Sequence, residues 1–567
     1  MLHLIPQVKN LKLTGGSLQN KALSYHKESL DARLALAIKA LPFSVDGTPV
    51  EISITQQGGE KYTLIITETN IRITANGEAG AFYAIQTLKQ IWEHDTIPCL
   101  EICDEPDFAY RGFYHDVTRG KVPTLEALKE LIDRMAYYKL NSLQLYVEHT
   151  YEFEECKEFA KAYGCLTKEE LQELDVYCKE RFIDFIPSLA TFGHMYEILR
   201  QEKYRHLRVL DDFNETPYFW RERMRHHTID PLQEESFELV KSLIDQYIPN
   251  FSSEAFNICC DETFDLKSHK KADADVGKLY IDFVNKIIDH LKSKGKKIMM
   301  WADILLQHPE TIETLPEDTY FLNWDYSSNP SEENVKRLSV FNRPQIVCPG
   351  TSTWSRFSEN APVAEQNIGK LAEYGKKYGA IGVLNTNWGD YGNPCNLALS
   401  MFGMIWGAEK SWSVATPAGE DFYKNINFLH YKDDNAVAYL FKLSALHSCI
   451  SWIHFCNAYH NARYQTDVAT TYIQKEEVVK IQALYTQFKN ELSSLTWEKD
   501  EYRKEMLMVA EGVCVTTELF AKLSNVETER LTNTQEWLKK YREFWLANNK
   551  ESELCHLEEM FRYCEAL

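Results

Sequence analysis

The chain has 567 residues, of which 44% are hydrophobic and 26% are charged, and its formal net charge is -21. This length exceeds what one hydrophobic core usually supports, about 250–300 residues, so we expect several structural units. The composition is that of a globular protein, and the strong negative charge argues against partners such as nucleic acid or an anionic membrane surface.

The fourteen cysteines are scattered along the chain and lack the Cys/His spacing of a zinc site. The first residues, MLHLIPQVKN, lack the charged start and the apolar run of a signal peptide. The longest uncharged stretch, from Tyr391 to Ala408, contains asparagine, proline and glycine, which is not typical of a membrane-spanning helix. We therefore expect a cytoplasmic protein with reduced thiols, without a disulfide framework and without a structural metal.

Residues 1–105 predict a small N-terminal α+β domain. Three runs alternate apolar and polar residues, as short antiparallel strands do: Glu51–Thr55, Tyr62–Thr67 and Ile71–Thr74. The apolar residues from Ala81 to Ile91 are spaced for one face of a helix.

Residues 106–414 alternate strand-like with helix-like segments. Eight short apolar runs are the strand candidates: Tyr110–Val117, Leu143–Val147, Phe185–Leu189, Phe256–Cys260, Lys297–Trp301, Tyr320–Trp324, Gln345–Cys348 and Ala380–Leu384. Helical spacing between them is clearest from Val276 to Leu291. Eight strands alternating with helices predict an α/β fold with a (β/α)8 TIM barrel. A doubly wound open sheet is the alternative, but no G-x-G-x-x-G turn follows any candidate strand.

Residues 415–567 contain few of the prolines and glycines that usually form turns. The prolines end at Pro417, and after Gly419 the only glycine is Gly512. We therefore predict a mostly α-helical C-terminal domain. The sequence leaves open whether this domain contributes a wall of a pocket or mediates a homodimer.

In a TIM barrel, the catalytic residues lie where the strands end at the carboxyl face. The predicted strand ends carry tryptophans and charged side chains: His115-Asp116, Glu148-His149, Gly193-His194, Asp261-Glu262, Trp301-Ala302-Asp303, Trp324-Asp325-Tyr326, Trp354 and Trp388-Gly389-Asp390. Indole N–H groups need polar partners, which suits a wet rim better than a dry barrel interior. Aromatic faces beside carboxylates match the C–H faces and hydroxyls of a sugar. The pattern therefore predicts a carbohydrate pocket.

Asp261-Glu262 is the main catalytic candidate, because charges directly after an apolar strand would be costly unless they face a pocket. Neighbours on a strand point to opposite faces, so the two carboxylates do not flank one bond as acid and nucleophile, about 5–10 Å apart. One can donate a proton while the other positions a group beside it. A nearby like charge raises a carboxyl pKa, which favours a protonated acid near neutral pH.

Over roughly residues 50–400, the chain resembles glycoside hydrolase family 20, the exo-β-N-acetylhexosaminidases. It is most similar to the compact intracellular type of this family. The motifs follow the order of the family along the barrel: Phe108-Ala109-Tyr110-Arg111-Gly112 with Asp116 and Arg119, Gly193-His194, Asp261-Glu262, Trp301, Trp324 and Trp388-Gly389-Asp390. The segment from Gly77 to Leu88 is similar to the companion α+β domain of the family.

The resemblance implies removal of a terminal β-linked N-acetylglucosamine or N-acetylgalactosamine from an oligosaccharide or glycoconjugate. The 2-acetamido group of the substrate would attack the anomeric carbon, and configuration would be retained. Glu262 would act as general acid and then as base. Asp261 would orient the acetamide and stabilise the oxazolinium ion. No metal or cofactor is implied.

The resemblance also implies the residues that bind the sugar. Trp301, Trp324 and Trp388 would enclose the acetamide methyl and the sugar face. Arg111 and Asp390 would hold ring hydroxyls through charge-assisted hydrogen bonds. The ring of His194 would lie behind the acid.

The sequence departs from the family pattern at several positions. Cys259-Cys260 stand where the family has two glycines. One of these cysteines could be catalytic; the alternative is that they are small residues that fill the end of the strand. Other departures concern the pocket: Glu148-His149 in place of two aspartates, Trp354 where strand seven usually offers a tyrosine, Tyr326 as its substitute, and Asp390 in place of a glutamate.

Two other functions remain as alternatives. An O-GlcNAc-hydrolase-type enzyme would also use the acetamide, but with paired aspartates, which Asp261-Glu262 disfavours. A catalytically silent carbohydrate-binding barrel is the second, against which an intact acid at Glu262 argues. We interpret His226-His227 and His269-Lys270-Lys271 as surface loops rather than as a metal or phosphate site.

Overall fold

The computed structural model describes residues 2–25, 30–55, 58–210, 220–224, 227–269 and 275–567. Three parts follow one another along the chain: an N-terminal six-stranded sheet, a closed barrel of eight parallel strands and a set of C-terminal helices. This architecture confirms the predicted TIM barrel and its two flanking regions.

The N-terminal sheet is mixed rather than antiparallel. Its strands are β1 Asn10–Ser17, β2 Leu23–Ser24, β3 Thr48–Ile54, β4 Tyr62–Ile66, β5 Ile71–Ala75 and β6 Pro98–Asp104, in the order β1-β6-β4-β5-β3-β2. The helices of this region are α1 Ala32–Ile38 and α2 Glu78–Trp92. β4 pairs antiparallel with β5 and β6, whereas β3 pairs parallel with β5. Alternation predicts a strand but not the direction of its neighbour, which is why the antiparallel prediction was wrong for β3.

The barrel strands are β7 Tyr110–Asp116, β8 Ser142–Val147, β9 Asp184–Leu189, β10 Ala255–Asn257, β11 Lys297–Trp301, β12 Tyr320–Trp324, β13 Gln345–Cys348 and β14 Gly382–Asn387. β14 pairs in parallel with β7 and thereby closes the barrel. The helices of this region are α3 Leu125–Tyr137, α4 Lys157–Tyr163, α5 Lys168–Lys179, α6 Tyr196–Leu199, α7 Glu234–Tyr247, α8 Val276–Ser293, α9 Asp303–Gln307, α10 Glu333–Ser339, α11 Ala361–Lys377 and α12 Met401–Trp412.

β10 is shorter than the sequence predicts. It ends at Asn257, and Cys259 and Cys260 have φ values of 56° and 62°, which no strand residue adopts. Asp261 and Glu262 therefore follow a tight irregular turn rather than a strand. The expectation that alternation sends their side chains to opposite faces was wrong, because the pleat ends before it reaches them.

Two of the predicted rim tryptophans belong to the barrel interior. Trp301 is completely buried and Trp388 is 7% exposed, in one cluster with Tyr114, Cys259 and Met299. Trp324 and Trp354 are partly exposed and pack against this cluster. The rim prediction was therefore wrong for Trp301, since it rested on the polarity of the indole N–H rather than on the position of the residue within β11.

The C-terminal helices are α13 Glu420–Ile426, α14 Ala436–His447, α15 Trp452–Tyr464, α16 Lys475–Ser493, α17 Asp500–Leu523, α18 Thr534–Asn548 and α19 Leu554–Ala566. The stretch Ala436–Tyr464 has the length and apolar character of a membrane span, but 50% of its most apolar window is buried inside the protein. We interpret it as two core helices, α14 and α15.

These helices support the loop that follows β14. Trp452 donates from Nε1 to the carbonyl oxygen of Tyr391 at 2.9 Å, and the Tyr541 hydroxyl donates to that of Pro394 at 2.9 Å. The loop carries Asp390 just beyond the carboxyl end of β14. The C-terminal helices therefore hold one edge of the barrel mouth.

Candidate active site

Asp261 and Glu262 meet at the mouth of the barrel, where His194 links them. His194 Nε2 lies 3.4 Å from Asp261 Oδ2 and 3.4 Å from Glu262 Oε2. The Asp261 side chain is 10% exposed and the Glu262 side chain 26%. One carboxylate is thus enclosed, while the other reaches the opening through which a substrate would enter.

The main chain next to His194 packs closely against the main chain of Asp261. A Cβ atom on Gly193 would lie 2.4 Å from the carbonyl oxygen of Asp261, so only glycine fits at this position. The His194 main-chain N–H donates to His227 Nδ1 at 2.9 Å, and the two imidazoles stack with centroids 4.8 Å apart. The surface-loop prediction was wrong for His227 and His269, which are 0% and 6% exposed. His226, Lys270 and Lys271 lie outside the described residues.

Burial alone would lower the pKa of His194, but the negative charge of Asp261 and the contacts with both carboxylates raise it to about 10. The imidazole is therefore positively charged near neutral pH and pairs with the negative charge of Asp261, beside the carboxyl group of Glu262. The ligand atoms of His194, Asp261 and Glu262 lie within 4.8 Å of one another, close enough for a metal ion. Metal binding needs a neutral imidazole, so the raised pKa favours the ion pair.

Arg119 and Asp390 form a second charged pair at the same opening. Arg119 Nη1 donates to Asp390 Oδ1 at 2.6 Å, and Arg119 Nε lies 3.4 Å from Glu148 Oε1. The guanidinium also lies over the Trp388 ring, 5.0 Å from its centroid. Although burial opposes it, the nearby acidic groups raise the pKa of Arg119 well above its ordinary value. Asp390 is 36% exposed, so the pair remains accessible to a ligand.

Asp116 connects the two loops that carry this pair. Its Oδ1 accepts from the N–H groups of Thr118 and Arg119, at 2.9 and 3.1 Å, after the end of β7. Its Oδ2 accepts from the N–H of Gly389 at 3.1 Å, after the end of β14. Burial raises the pKa of Asp116 to about 6. One carboxylate thereby fixes the positions of Arg119 and Asp390 relative to each other.

Arg111, which the family resemblance assigns to the sugar, lies elsewhere. It is completely buried near the amino end of β7, where Nη1 and Nη2 bind Glu60 of the N-terminal region at 2.7 and 2.9 Å. It also donates to the carbonyl oxygens of Phe108 and Lys139. The assignment was wrong, because the strand places Arg111 at the end of the barrel opposite the active-site face.

The remaining candidates form an aromatic wall around Tyr326. Trp388 donates from Nε1 to the Tyr326 hydroxyl at 2.7 Å. Trp324 stacks on Tyr326 with ring centroids 5.1 Å apart, and the Trp354 ring lies 5.3 Å from that of Tyr326. Trp301 lies behind Trp388, at 5.9 Å between ring centroids. The partly exposed rings of Trp324, Tyr326 and Trp354 offer flat apolar faces on which a sugar ring stacks, and the buried rings of Trp301 and Trp388 support them.

The sequence analysis assigned no role to two residues that lie at this site, Tyr146 and Asp303. Tyr146 donates its hydroxyl to Glu148 Oε1 at 2.9 Å and lies under the Arg119 guanidinium. Asp303 accepts from the main-chain N–H of Glu262 at 3.1 Å. Tyr146 could have been identified from its inward position on β8. Asp303 could have been identified because it lies two residues after the end of β11. Glu148 faces the site, whereas its neighbour His149 packs away from it, on Tyr163.

The adjacent thiols fit a packing role. Cys259 is buried beside Ser188 and Tyr114, and burial raises its pKa to about 12. Burial also raises the pKa of Cys260 well above its ordinary value. A thiol is a nucleophile only as thiolate, so this environment disfavours the alternative of a catalytic cysteine.

Several curated relatives resemble the chain. A β-hexosaminidase of Vibrio vulnificus is 26% identical over 473 residues, which cover 64% of this chain and 54% of the relative. One of Akkermansia muciniphila is 31% identical over 158 residues, or 24% of this chain and 32% of the relative. The chain thus spans about half or less of the length of these relatives.

Solved structures share the fold. A chitobiase of Flavobacterium johnsoniae matches with a TM-score of 0.63 at 16% identity, over 95% of this chain and 96% of the other. A family 20 exo-β-N-acetylglucosaminidase of Vibrio harveyi matches with a TM-score of 0.61 at 19% identity, over 75% and 76%.

Family models cover the two regions that precede the C-terminal helices. The model for domain 2 of glycosyl hydrolase family 20 matches residues 2–105, and the model for the catalytic domain of that family matches residues 108–392. The catalytic-domain match alone covers half of the chain, and it contains the charged and aromatic residues of the barrel mouth. The chain therefore belongs to glycosyl hydrolase family 20.

Proposed function

We propose that this protein is an exo-β-N-acetylhexosaminidase that works by retaining, substrate-assisted hydrolysis. The observation that carries the proposal is the arrangement of the two carboxylates. Asp261 is enclosed, Glu262 reaches the opening, and His194 Nε2 lies 3.4 Å from an oxygen of each. This arrangement suits one acid/base and one positioning carboxylate better than two carboxylates on either side of a glycosidic bond.

In the first step, Glu262 transfers its proton to the glycosidic oxygen. The acetamide carbonyl oxygen of the substrate attacks the anomeric carbon as the bond to the leaving group breaks, and an oxazolinium ion forms. Asp261, as a carboxylate, accepts the acetamide N–H and stabilises the positive charge. In the second step, Glu262 takes a proton from water, which attacks the anomeric carbon and reopens the ring. Two inversions at one carbon give retention.

The other site residues orient the sugar. We propose that Arg119 and Asp390 bind ring hydroxyls, because their ion pair faces the opening and offers both donors and an acceptor. The aromatic wall would pack on the sugar and the acetamide methyl. The Tyr326 oxygen accepts from Trp388 Nε1, and we propose that the Tyr326 hydroxyl donates to the acetamide oxygen in place of its contact with Thr386.

We also propose that the protein acts in the cytoplasm, on terminal N-acetylhexosamine residues of glycan fragments. All fourteen cysteines are free thiols, and eleven of them are buried. Such usage fits a reducing compartment. Fractionation of the producing cell, with activity assayed in each fraction, tests this assignment; activity confined to the outside of the cell would contradict it.

Two variants test the mechanism. Glu262→Gln removes only the proton, so turnover of a disaccharide such as N,N′-diacetylchitobiose should fall by about 10²–10⁴-fold. Activity on 4-nitrophenyl β-N-acetylglucosaminide should fall less, because nitrophenolate leaves without protonation. Asp261→Asn should also reduce turnover of both substrates, because the oxazolinium ion loses its anionic partner.

Thermal unfolding near the wild-type temperature should show that both variants fold. Near-full hydrolysis of the disaccharide by Glu262→Gln would contradict the assignment of the acid. An unchanged rate for Asp261→Asn would mean that another group orients the acetamide.

A further inference from the structure

The link between α18 and α19 lies beside the loop that follows β7. The Lys550 N–H donates to the carbonyl oxygen of Val122 at 2.8 Å, and the Glu553 N–H donates to the carbonyl oxygen of Gly120 at 3.2 Å. The same loop carries Arg119. The C-terminal helices are therefore bound directly to the part of the chain that brings this arginine to the barrel mouth.

The side chain of Glu553 is buried and binds the segment 220–224, which lies between β9 and β10. Its Oε2 accepts from Trp220 Nε1 at 3.0 Å, and its Oε1 accepts from Arg223 Nη2. Arg223 Nε also lies 3.6 Å from Glu197 Oε1, in the short helix α6. Because a buried charge is costly without its partner, these contacts fix the segment to the C-terminal helices.

Trp220 and Gly120 both pack against Gly392, in the loop that follows β14. A Cβ atom on Gly392 would lie 2.6 Å from the Trp220 ring, and one on Gly120 would lie 2.4 Å from the carbonyl oxygen of Gly392. Gly120 directly follows Arg119. Gly392 lies two residues after Asp390. The contacts are therefore close in the chain to both members of the Arg119–Asp390 pair.

Four residues, which we call the clasp, form a closed set of contacts: Gly120, Gly392, Trp220 and Glu553. Each contacts the next, and the main-chain N–H of Glu553 returns to Gly120. The clasp joins the loops that follow β7, β9 and β14 to the C-terminal helices. A shift of any one of these loops would break a contact of the clasp.

We propose that Glu553 is a positioning residue, which acts through the clasp to hold Arg119 and Asp390 in the geometry that binds the sugar. The inference rests on the proposed role of this pair in binding ring hydroxyls. It gives the C-terminal helices a part in substrate binding.

The test compares Glu553→Ala, Glu553→Gln and a control, Glu559→Gln. Alanine removes the acceptors for Trp220 and Arg223 and keeps the main-chain contact with Gly120. Glutamine keeps one acceptor oxygen and removes the charge. Glu559 lies on α19 with its side chain 51% exposed, and an exposed carboxylate of this kind contributes little to stability.

The readouts are KM and kcat for 4-nitrophenyl β-N-acetylglucosaminide. We expect Glu553→Ala to raise KM about 10-fold and Glu553→Gln about 3-fold, the value of hydrogen bonds to a charged group. The kcat of the folded protein should stay within about 2-fold of wild type, because the Arg119–Asp390 pair binds the sugar rather than the reacting atoms. Glu559→Gln should match the wild type in both constants.

A loss of stability alone would give a different result. A partly unfolded variant loses apparent kcat with its folded fraction, whereas the folded molecules keep the wild-type KM. An unchanged KM in Glu553→Ala would therefore overturn the inference.

Trp220→Phe provides the test if Glu553→Ala does not fold. It keeps an aromatic ring against Gly392 and removes only the Nε1 donor to Glu553. KM should rise about 2–3-fold, as for the loss of one hydrogen bond. Wild-type KM values in both Trp220→Phe and Glu553→Gln would overturn the inference.

Limited proteolysis tests the clasp without an activity assay. Trypsin cleaves after arginine, and the segment 220–224 contains Arg221 and Arg223. Cleavage after these residues should be about 10-fold faster in Glu553→Ala than in the wild type or in Glu559→Gln, because cleavage follows the population of the opened segment. N-terminal sequencing of the fragments identifies the site, and equal rates would overturn the clasp.

The two readouts separate this inference from the proposed function. Faster cleavage with an unchanged KM would mean that Glu553 holds the segment but not the sugar-binding pair, which would overturn the inference. Failure of the wild-type protein to release any N-acetylhexosamine would overturn the proposed function instead, and proteolysis would still decide whether Glu553 holds the segment.

Discussion

The two arginines at either end of β7 show how one residue type serves two purposes in one barrel. Arg111 lies near the amino end and uses its N–H groups on Glu60 and on main-chain carbonyls. Arg119 follows the carboxyl end, where it binds Asp390 and lies over aromatic rings. Arg111 is completely buried, whereas the partner of Arg119 is 36% exposed.

The difference lies in what remains available to a ligand. Four of the five N–H groups of the Arg111 guanidinium donate to protein oxygens, and the side chain is completely buried, so it connects the N-terminal sheet to the barrel. Arg119 faces several acidic groups and keeps part of its surface toward the opening. The role of an arginine near a barrel strand therefore depends on the end of the barrel at which it lies. Residues at the amino face contribute to stability, whereas residues at the carboxyl face contribute to catalysis.

The largest effect expected from this comparison is on stability. Arg111→Met removes a buried cation and leaves Glu60 without its partner, which should lower the free energy of unfolding by about 3–5 kcal/mol. Urea unfolding at neutral pH measures this loss. The kcat/KM of the folded fraction should remain within about 2-fold of wild type. A variant of normal stability with a raised KM would return Arg111 to the binding site.

The next effect is on catalysis. Arg119→Lys keeps the charge but removes the forked guanidinium that binds Asp390 while facing Glu148. We expect kcat/KM for 4-nitrophenyl β-N-acetylglucosaminide to fall roughly 10–100-fold, the value of one or two charge-assisted hydrogen bonds. Stability should change much less than in Arg111→Met. Equal losses of stability and equal activities in the two arginine variants would contradict the different roles assigned to Arg111 and Arg119.

The smallest effect concerns the partner of Arg119. Asp390→Asn keeps the shape of the side chain and removes its charge, which should raise KM about 3–10-fold with little change in kcat. Steady-state kinetics on the same substrate measure both constants. A fall in kcat alone, at constant KM, would mean that Asp390 acts in the chemical step rather than in holding the sugar.

The sequence predicts the barrel well because its strands are short apolar runs with clear limits. Lys297–Trp301, Tyr320–Trp324 and Gln345–Cys348 form strands with the predicted bounds. β1 was missed because its residues are almost all exposed and two of them are glycines, so no alternation identifies it. An edge strand is stabilised by pairing with its neighbour, here β6, and that pairing leaves no periodic signal in the sequence.

The site was predicted less completely than the fold. Asp261, Glu262 and His194 were identified because charged residues after apolar runs are unusual. The left-handed turn through Cys259 and Cys260 could not be anticipated, since cysteine rarely adopts it. Arg111 was assigned to the sugar in place of Arg119, although Arg119 is the one that follows the carboxyl end of β7. The position of each arginine relative to the two ends of β7 would have distinguished the structural Arg111 from Arg119 at the site.

The most direct test of the central proposal, catalysis assisted by the acetamide of the substrate, is a comparison of two substrates. The rate of nitrophenolate release from 4-nitrophenyl β-N-acetylglucosaminide is measured beside that from the matching β-glucoside, which lacks the acetamide. We predict hydrolysis of the first substrate and almost none of the second. Comparable rates on both would contradict the proposal, because they would require a nucleophile supplied by the enzyme.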